Sequence, residues 1–291
     1  MIRLLAVDMD GTCLDSRSRI TDNTINALRK AAASGIIVVP ATGRSMACLP
    51  HRLAAGTVRD VEDCVDSWRK KEEDIRKNRD LFRYVITSNG AQITDIRENR
   101  TIFQKIIEKK DALDLLNACR NLGVGVTSHI NHEYLLQGRL LVALGHLIYG
   151  KDAGGVRWVR DMRETVRCTP YGIEEIQFYF MSPSAKKKIR NILKHFPQLD
   201  SAYTGIYVEV FSSEASKGNA LCALQEYLGI TREETAAIGD GENDLSMFRG
   251  AGLKIAMGNA VPLLKEKSDC ITSSNDQDGV AKAVESFILK V

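Results

Sequence analysis

The chain reads as an α/β protein whose main part is a doubly wound parallel sheet, and three observations predict it. Short apolar runs alternate with stretches of helical period, the pattern of strands joined by covering helices. Several runs end in polar, glycine-bearing turns: Leu4-Leu5-Ala6-Val7 leads into Asp8-Met9-Asp10-Gly11-Thr12, Ile36 to Ala41 into Thr42-Gly43-Arg44, and Thr235-Ala236-Ala237-Ile238 into Gly239-Asp240-Gly241-Glu242-Asn243-Asp244. At 291 residues the chain exceeds one typical domain and can bury a substantial core.

The first strand ends at Asp8. A helix is expected from about Asp22 to Ser34, with Ile25, Leu28 and Ala32 on one face and Gly35 ending it. The second strand follows at once. In the segment 55–82, Val61, Val65, Trp68, Glu72 and Ile75 recur at helical spacing and read as an added helix. A third strand, Tyr84 to Thr87, leads to Asn89-Gly90, where the chain is expected to leave the core. Residues 1–90 and 213–291 then form the core and 91–212 an inserted α/β unit. That insertion should hold a hairpin about Glu98-Asn99-Arg100 and a helix through Leu113, Leu116 and Cys119, then strands near Gly123–Thr127 and Glu133–Leu136. A helix around Leu140–Leu147 follows, with a strand Ile176–Phe180, a helix Pro183–Phe196 and a strand Ile206–Val210. Past Ser213 the chain returns to the core, where Lys217 opens a helical pattern through Leu224 and Leu228, and a strand at Thr235–Gly239 feeds a helix around Leu245–Phe248.

The chemistry concentrates at the strand ends. Residues i and i+2 of a strand share a face, so Asp8 and Asp10 are expected to lie close and to repel unless one is protonated or a cation binds between them. A hard divalent cation resolves that conflict. Gly11 permits a tight turn whose N–H groups, with the Thr12 hydroxyl, suit an anion such as phosphate. A lysine at the positive end of a helix, as Lys217 is, also asks for an anion. The acidic turn around Asp240 adds oxygen ligands. An ordinary acidic turn after a strand is the blander reading of the first segment taken alone.

In order, Asp8-Met9-Asp10-Gly11-Thr12, Thr42-Gly43-Arg44, Lys217 and Gly239-Asp240-Gly241-Glu242-Asn243-Asp244 resemble the four motifs of the haloacid dehalogenase-like phosphohydrolases. A finer resemblance is to the Cof-type, sugar-phosphatase-like branch, which has an α/β (C2B-type) cap between the second and third motifs. It rests on Ala41-Thr42-Gly43-Arg44, Ser88-Asn89-Gly90-Ala91, Ser216-Lys217-Gly218-Asn219-Ala220-Leu221, and Ala256-Met257-Gly258-Asn259-Ala260 with Asp278-Gly279-Val280-Ala281. The resemblance implies a Rossmann-like core and a Mg²⁺-dependent phosphatase of a small phosphorylated metabolite, a sugar phosphate or phosphorylated cofactor, whose leaving group the cap chooses.

Residue by residue, the resemblance implies Asp8 as the nucleophile that forms an aspartyl phosphate, and Asp10 as general acid and base. Thr42 and Lys217 would hold the phosphoryl oxygens, with Met9, Gly11, Gly43 and Asn243 also at the phosphate. The metal would be held by Asp8, the main-chain carbonyl of Asp10, Asp240 and Asp244, with Asn275 and Asp276 as outer support. Lys217→Ala is expected to depress turnover and leave the fold intact. The alternatives are a phosphosugar mutase of the phosphomannomutase kind and a catalytically idle phosphate-binding regulatory protein. Two places depart from the branch: the long 55–82 segment, and Phe211-Ser212-Ser213-Glu214-Ala215, where relatives tend to have a proline-containing turn.

Composition excludes several classes. A formal charge of +3 with interleaved acids gives no basic footprint for nucleic acid, and no window reaches the ~18 to 20 apolar residues of a membrane span. Seven cysteines without a Cys-x-x-Cys pair point to reduced thiols, and a cytoplasmic protein is expected. His129-x-x-His132 is read as a pair of ordinary or substrate-facing histidines rather than a metal pair, and Lys186-Lys187-Lys188 as the solvated side of a helix.

Overall fold

In the computed structural model of the chain, residues 1–49, 81–138 and 156–290 are described. The helices expected over 61–75 and Leu140–Leu147 lie outside them. The chain divides into two compact units: residues 1–43, 81–103 and 216–290 form the first, and Arg44–Leu49 with Gln104–Ala215 the second.

The first unit is built on β1 (Leu4–Asp8), β2 (Ile37–Ala41), β3 (Tyr84–Thr87), β4 (Gln92–Asp95), β5 (Arg100–Gln104), β12 (Thr235–Gly239), β13 (Leu253–Ala256) and β14 (Cys270–Ile271), numbered with the strands of the second unit in chain order. They form one sheet in the order β14-β13-β12-β1-β2-β3-β4-β5. From β14 to β3 the pairs are parallel, and β4 turns back antiparallel on β3. All five residues of β1 are buried, as a central parallel strand covered on both faces requires, which is why Leu4-Leu5-Ala6-Val7 is apolar throughout. Burying each of Leu4 and Leu5 contributes about 1.5–3 kcal/mol. Helix α1 (Asp22–Ala33) presents Ile25 and Leu28 to this core, and Thr21 caps it by accepting the Thr24 N–H at 3.1 Å.

The strand order reverses at β1, with β2 on one side and β12 on the other, so a crevice opens at their carboxyl ends. Asp8 closes β1, Thr42 directly follows β2, and Asp240 directly follows β12. The sheet delivers the expected residues to one edge.

The second unit holds β6 (Val124–Ile130), β7 (Glu133–Gln137), β8 (Val156–Val159), β9 (Ile173–Phe180), β10 (Leu199–Tyr203) and β11 (Tyr207–Ser212), ordered β10-β11-β9-β6-β7-β8. One sheet face carries Val126, Ile130, Ile176, Phe178, Val208 and Val210, packed on α2 (Lys109–Ala118), α3 (Met162–Cys168) and α4 (Pro183–Leu193).

The boundary at 91 is corrected. The hairpin around Asn99, whose φ is 48°, forms as expected, but β4 and β5 extend the first sheet, so the first unit keeps the chain through Phe103. On the return, Ser213–Ala215 stay with the second unit, and Arg44–Leu49 join it from the other side. Cys48 packs with Tyr134, Leu136 and Val156, a contact no sequence period announces.

Candidate active site

At the carboxyl edge of the first sheet, Lys217 begins α5 (Lys217–Leu228). Ser216 caps this helix by accepting the Asn219 N–H at 3.0 Å. The Lys217 ammonium donates to Asp8 Oδ1 at 2.5 Å and to Asp244 Oδ1 at 2.8 Å, and the lysine is 1% exposed. Asp244 uses its other oxygen to accept the N–H groups of Asp240 and Gly241, each at 2.9 Å, which shapes the acidic turn. Asp8, Asp240 and Asp244 each offer one oxygen within 4.8 Å of the others.

Gly11 explains its own identity. It has φ +82°, and a Cβ there would run into the Asp240 carboxylate, so the turn after β1 can approach the turn after β12 only with glycine in place. The Thr12 hydroxyl, expected to face an anion, donates instead to Asp240 Oδ1 at 2.8 Å. It orients a carboxylate.

Burial, then the charge of Asp244, pushes the Asp8 carboxyl well above its usual range, and Lys217 pulls against them. Burial likewise raises Asp240. For Lys217 burial works downward, but Asp244 and Asp8 outweigh it and hold the ammonium above its ordinary value. One ammonium therefore faces three carboxylates, and an ionised Asp8 needs more positive charge beside it. An all-oxygen donor set in that position fits a hard divalent cation.

Asp10 is corrected in part. Strand β1 ends at Asp8, so Asp10 does not share its face as an i, i+2 pair; it is exposed, its backbone bridges to Leu14, and its carboxylate is outside the grouped three. Met9 is 1% exposed in the core, which leaves its main chain to serve the site. Thr42 is buried, with its N–H donating to the Ile86 carbonyl at 2.9 Å, and Gly43 follows it in the same turn. Asn243 is exposed beside Asp244 and donates to Asn89 Oδ1 at 3.3 Å.

Asn275 and Asp276 serve the loop after Asp10 rather than the carboxylates: Asn275 Nδ2 donates to the Leu14 carbonyl and Asp276 accepts the Ser16 N–H. The sequence reading missed Asn259, whose amide donates to the Gly11 carbonyl at 2.8 Å and lies 3.4 Å from Asp240 Oδ2. Its only signal was its place in the phrase Met257-Gly258-Asn259.

In the second unit His129 is buried against Tyr134, with Nδ1 4.0 Å from Glu175, and burial lowers its pKa to about 3. Among the described residues neither it nor His132 belongs to a group of three potential metal ligands. No helix among the described residues is long and apolar enough to cross a membrane.

Over residues 5–56 and 69–284 the chain matches the family of haloacid dehalogenase-like hydrolases. A 5-amino-6-(5-phospho-D-ribitylamino)uracil phosphatase of Bacillus subtilis is 28% identical over 289 residues, covering 99% of this chain and 96% of that protein. A solved structure of a haloacid dehalogenase-like hydrolase from B. subtilis matches with a TM-score of 0.77 at 27% identity, over 99% of this chain and 100% of that one. The subclass IIB sugar phosphatase BT4131 shares the fold, with a TM-score of 0.75 at 23% identity over 98% of each chain.

Proposed function

Since the chain belongs to the haloacid dehalogenase-like hydrolases, in the Cof-type branch, and is a phosphoric monoester hydrolase, we propose that it cleaves a small hydroxyl-bearing phosphate monoester, Mg²⁺-dependently, through an aspartyl phosphate on Asp8. The observation that carries this reading is the buried Lys217 ammonium joining Asp8 to Asp244 beside Asp240. The substrate class is supported by the Bacillus relative, whose name specifies a phosphorylated ribityl chain.

In the first step an Asp8 oxygen attacks phosphorus, the new O–P bond forms, and the bond to the leaving oxygen breaks. Asp10, exposed at the mouth of the turn, gives that oxygen its proton. In the second step Asp10 takes a proton from water, which attacks the phosphorus, freeing inorganic phosphate and the Asp8 carboxylate. Lys217, Thr42 and the main chain of Met9, Gly11 and Gly43, with the Asn243 amide, orient the phosphoryl oxygens and offset their charge. Asp8, Asp240, Asp244 and the Asp10 carbonyl would hold Mg²⁺, which when bound adds positive charge at the phosphoryl group.

The test is rapid quenching with an activated aryl phosphate and Mg²⁺, followed by intact-mass measurement. Asp10→Asn keeps the nucleophile and lacks the base for the second step, so it should gain one phosphoryl group; Asp8→Asn should gain none. Equal labelling of the two variants would remove Asp8 as nucleophile, and wild-type turnover that persists in excess chelator would remove Mg²⁺.

A further inference from the structure

We propose that Asn89 is a positioning residue of the phosphate site: its side-chain amide holds Asn243 and the Thr42-Gly43 turn in the arrangement that receives the phosphoryl oxygens. The proposal rests on the reading of Thr42, Gly43 and Asn243 as phosphate contacts.

Three successive residues after β3, Ser88, Asn89 and Gly90, have left-handed backbone, with φ of 49°, 54° and 94°. Such a run persists only where its surroundings over-determine it. Here they do. Asn89 is 5% exposed, and its N–H donates to the Thr42 carbonyl at 3.0 Å, while the Thr42 N–H donates to Ile86 at 2.9 Å. Both backbone groups of Thr42 are thereby clipped to the end of β3. The Asn89 amide lies against Gly43, where a Cβ would stand 3.0 Å from Oδ1 and 3.2 Å from Nδ2. On the other side, Gly90 packs on the Ser216 carbonyl and the Lys217 main-chain nitrogen. The turn thus touches the Thr42, Lys217 and Asn243 segments together.

The contact to Asn243 has a further effect. A primary amide can be rotated to exchange its oxygen and nitrogen, and a neighbouring acceptor selects the orientation that points N–H toward it. Asn89 Oδ1 accepts Asn243 Nδ2 at 3.3 Å, and the main-chain carbonyl of Asn243 accepts the Ser246 hydroxyl at 2.9 Å, which fixes the backbone that carries this amide. One amide hydrogen of Asn243 is engaged by Asn89. The second keeps a fixed direction and is available to an anion.

Asn89→Gly removes the amide, and glycine adopts positive φ freely, so the turn is kept. The readouts are the inhibition constant of inorganic phosphate, KM and kcat for an aryl phosphate, and the thermal midpoint. Asn89→Gly should raise the phosphate inhibition constant and KM about tenfold, as for one lost hydrogen bond to a charged group, with kcat changed much less. Asn243→Ala should raise the inhibition constant similarly, and the double variant should fall well short of the product of the two effects. An unchanged inhibition constant in Asn89→Gly, or a fully multiplicative double variant, overturns the proposal. A purely structural asparagine would lower the thermal midpoint without moving phosphate affinity. If Asn243→Ala alone leaves the inhibition constant unchanged, the reading of Asn243 fails and the proposal falls with it. Should Asn89→Gly not fold, Asn89→Asp keeps the shape and the left-handed tolerance but sets a negative charge over Gly43. Its inhibition constant must then rise more than tenfold, and an unchanged value overturns the proposal.

Discussion

Lys217 joins two effects that a substitution can separate. The sequence suggests a lysine placed for phosphate alone, so that Lys217→Ala would leave the fold intact. The structure changes that expectation, because the ammonium is also the partner of two buried carboxylates. Removing it strands Asp8 and Asp244, a loss of about 3–5 kcal/mol for a broken buried pair in the absence of metal. A divalent cation would supply the missing charge. Mg²⁺ should therefore raise the thermal midpoint of Lys217→Ala more than that of the wild type, measured by calorimetry with and without the ion. Equal shifts would show that the ion does not bind at these carboxylates. The charged members of the site were legible because each closes an apolar run or opens a helix. Asn89 and Asn259 were not, since a neutral amide leaves no charge signature, and the carbonyl that Asn259 grips belongs to Gly11, far away in sequence.

Among the elements, α1 owes its start to a partner at the other end of the chain. The Thr21 hydroxyl that caps it donates to Asp278 Oδ1 at 2.6 Å, and Asn23 Nδ2 donates to Asp278 Oδ2 at 2.7 Å. Asp278 itself is left-handed, at φ 56°, and leads into α6 (Gly279–Ala283). Asp278→Ala should cost about 1–3 kcal/mol by releasing both hydrogen bonds, and Asp278→Asn, which tolerates the backbone and keeps one acceptor, should cost less. Urea unfolding of the three proteins orders them; an alanine variant as stable as the wild type would show the clamp to be idle. Helix and strand periods located α1, β1, β2, β3 and β12 because their apolar residues are continuous or regularly spaced. They did not locate β8, where Arg157 and Trp158 are exposed, or β10, whose Asp200 and Ser201 read as loop. The first half of β9 was missed because Glu174 and Glu175 look solvated, yet both are buried.

On the scale of the molecule, the second unit should respond to acid through His129. Its folded pKa of about 3 lies below the ordinary value near 6.5, so the unfolded chain takes the proton first. The stability it contributes is complete above about pH 6.5 and is lost as pH falls toward 3. Between pH 7 and 4.5 the wild type should lose about 2 kcal/mol more than His129→Gln, followed by urea unfolding at the two pH values. Equal losses would sink the assignment. The division of the chain also bears on the order in which it can be made. The first unit is assembled from stretches separated by the whole of the second, so β1 emerges from a ribosome more than two hundred residues ahead of β12, its neighbour in the sheet. The six described strands of the second sheet have all been synthesised once Ser212 is added, whereas Asp8 still lacks Lys217, Asp240 and Asp244. During translation the central strand, apolar on both faces, is exposed on its β12 side for that entire interval, the period in which a nascent chain of this topology is most open to chaperones and to misassociation.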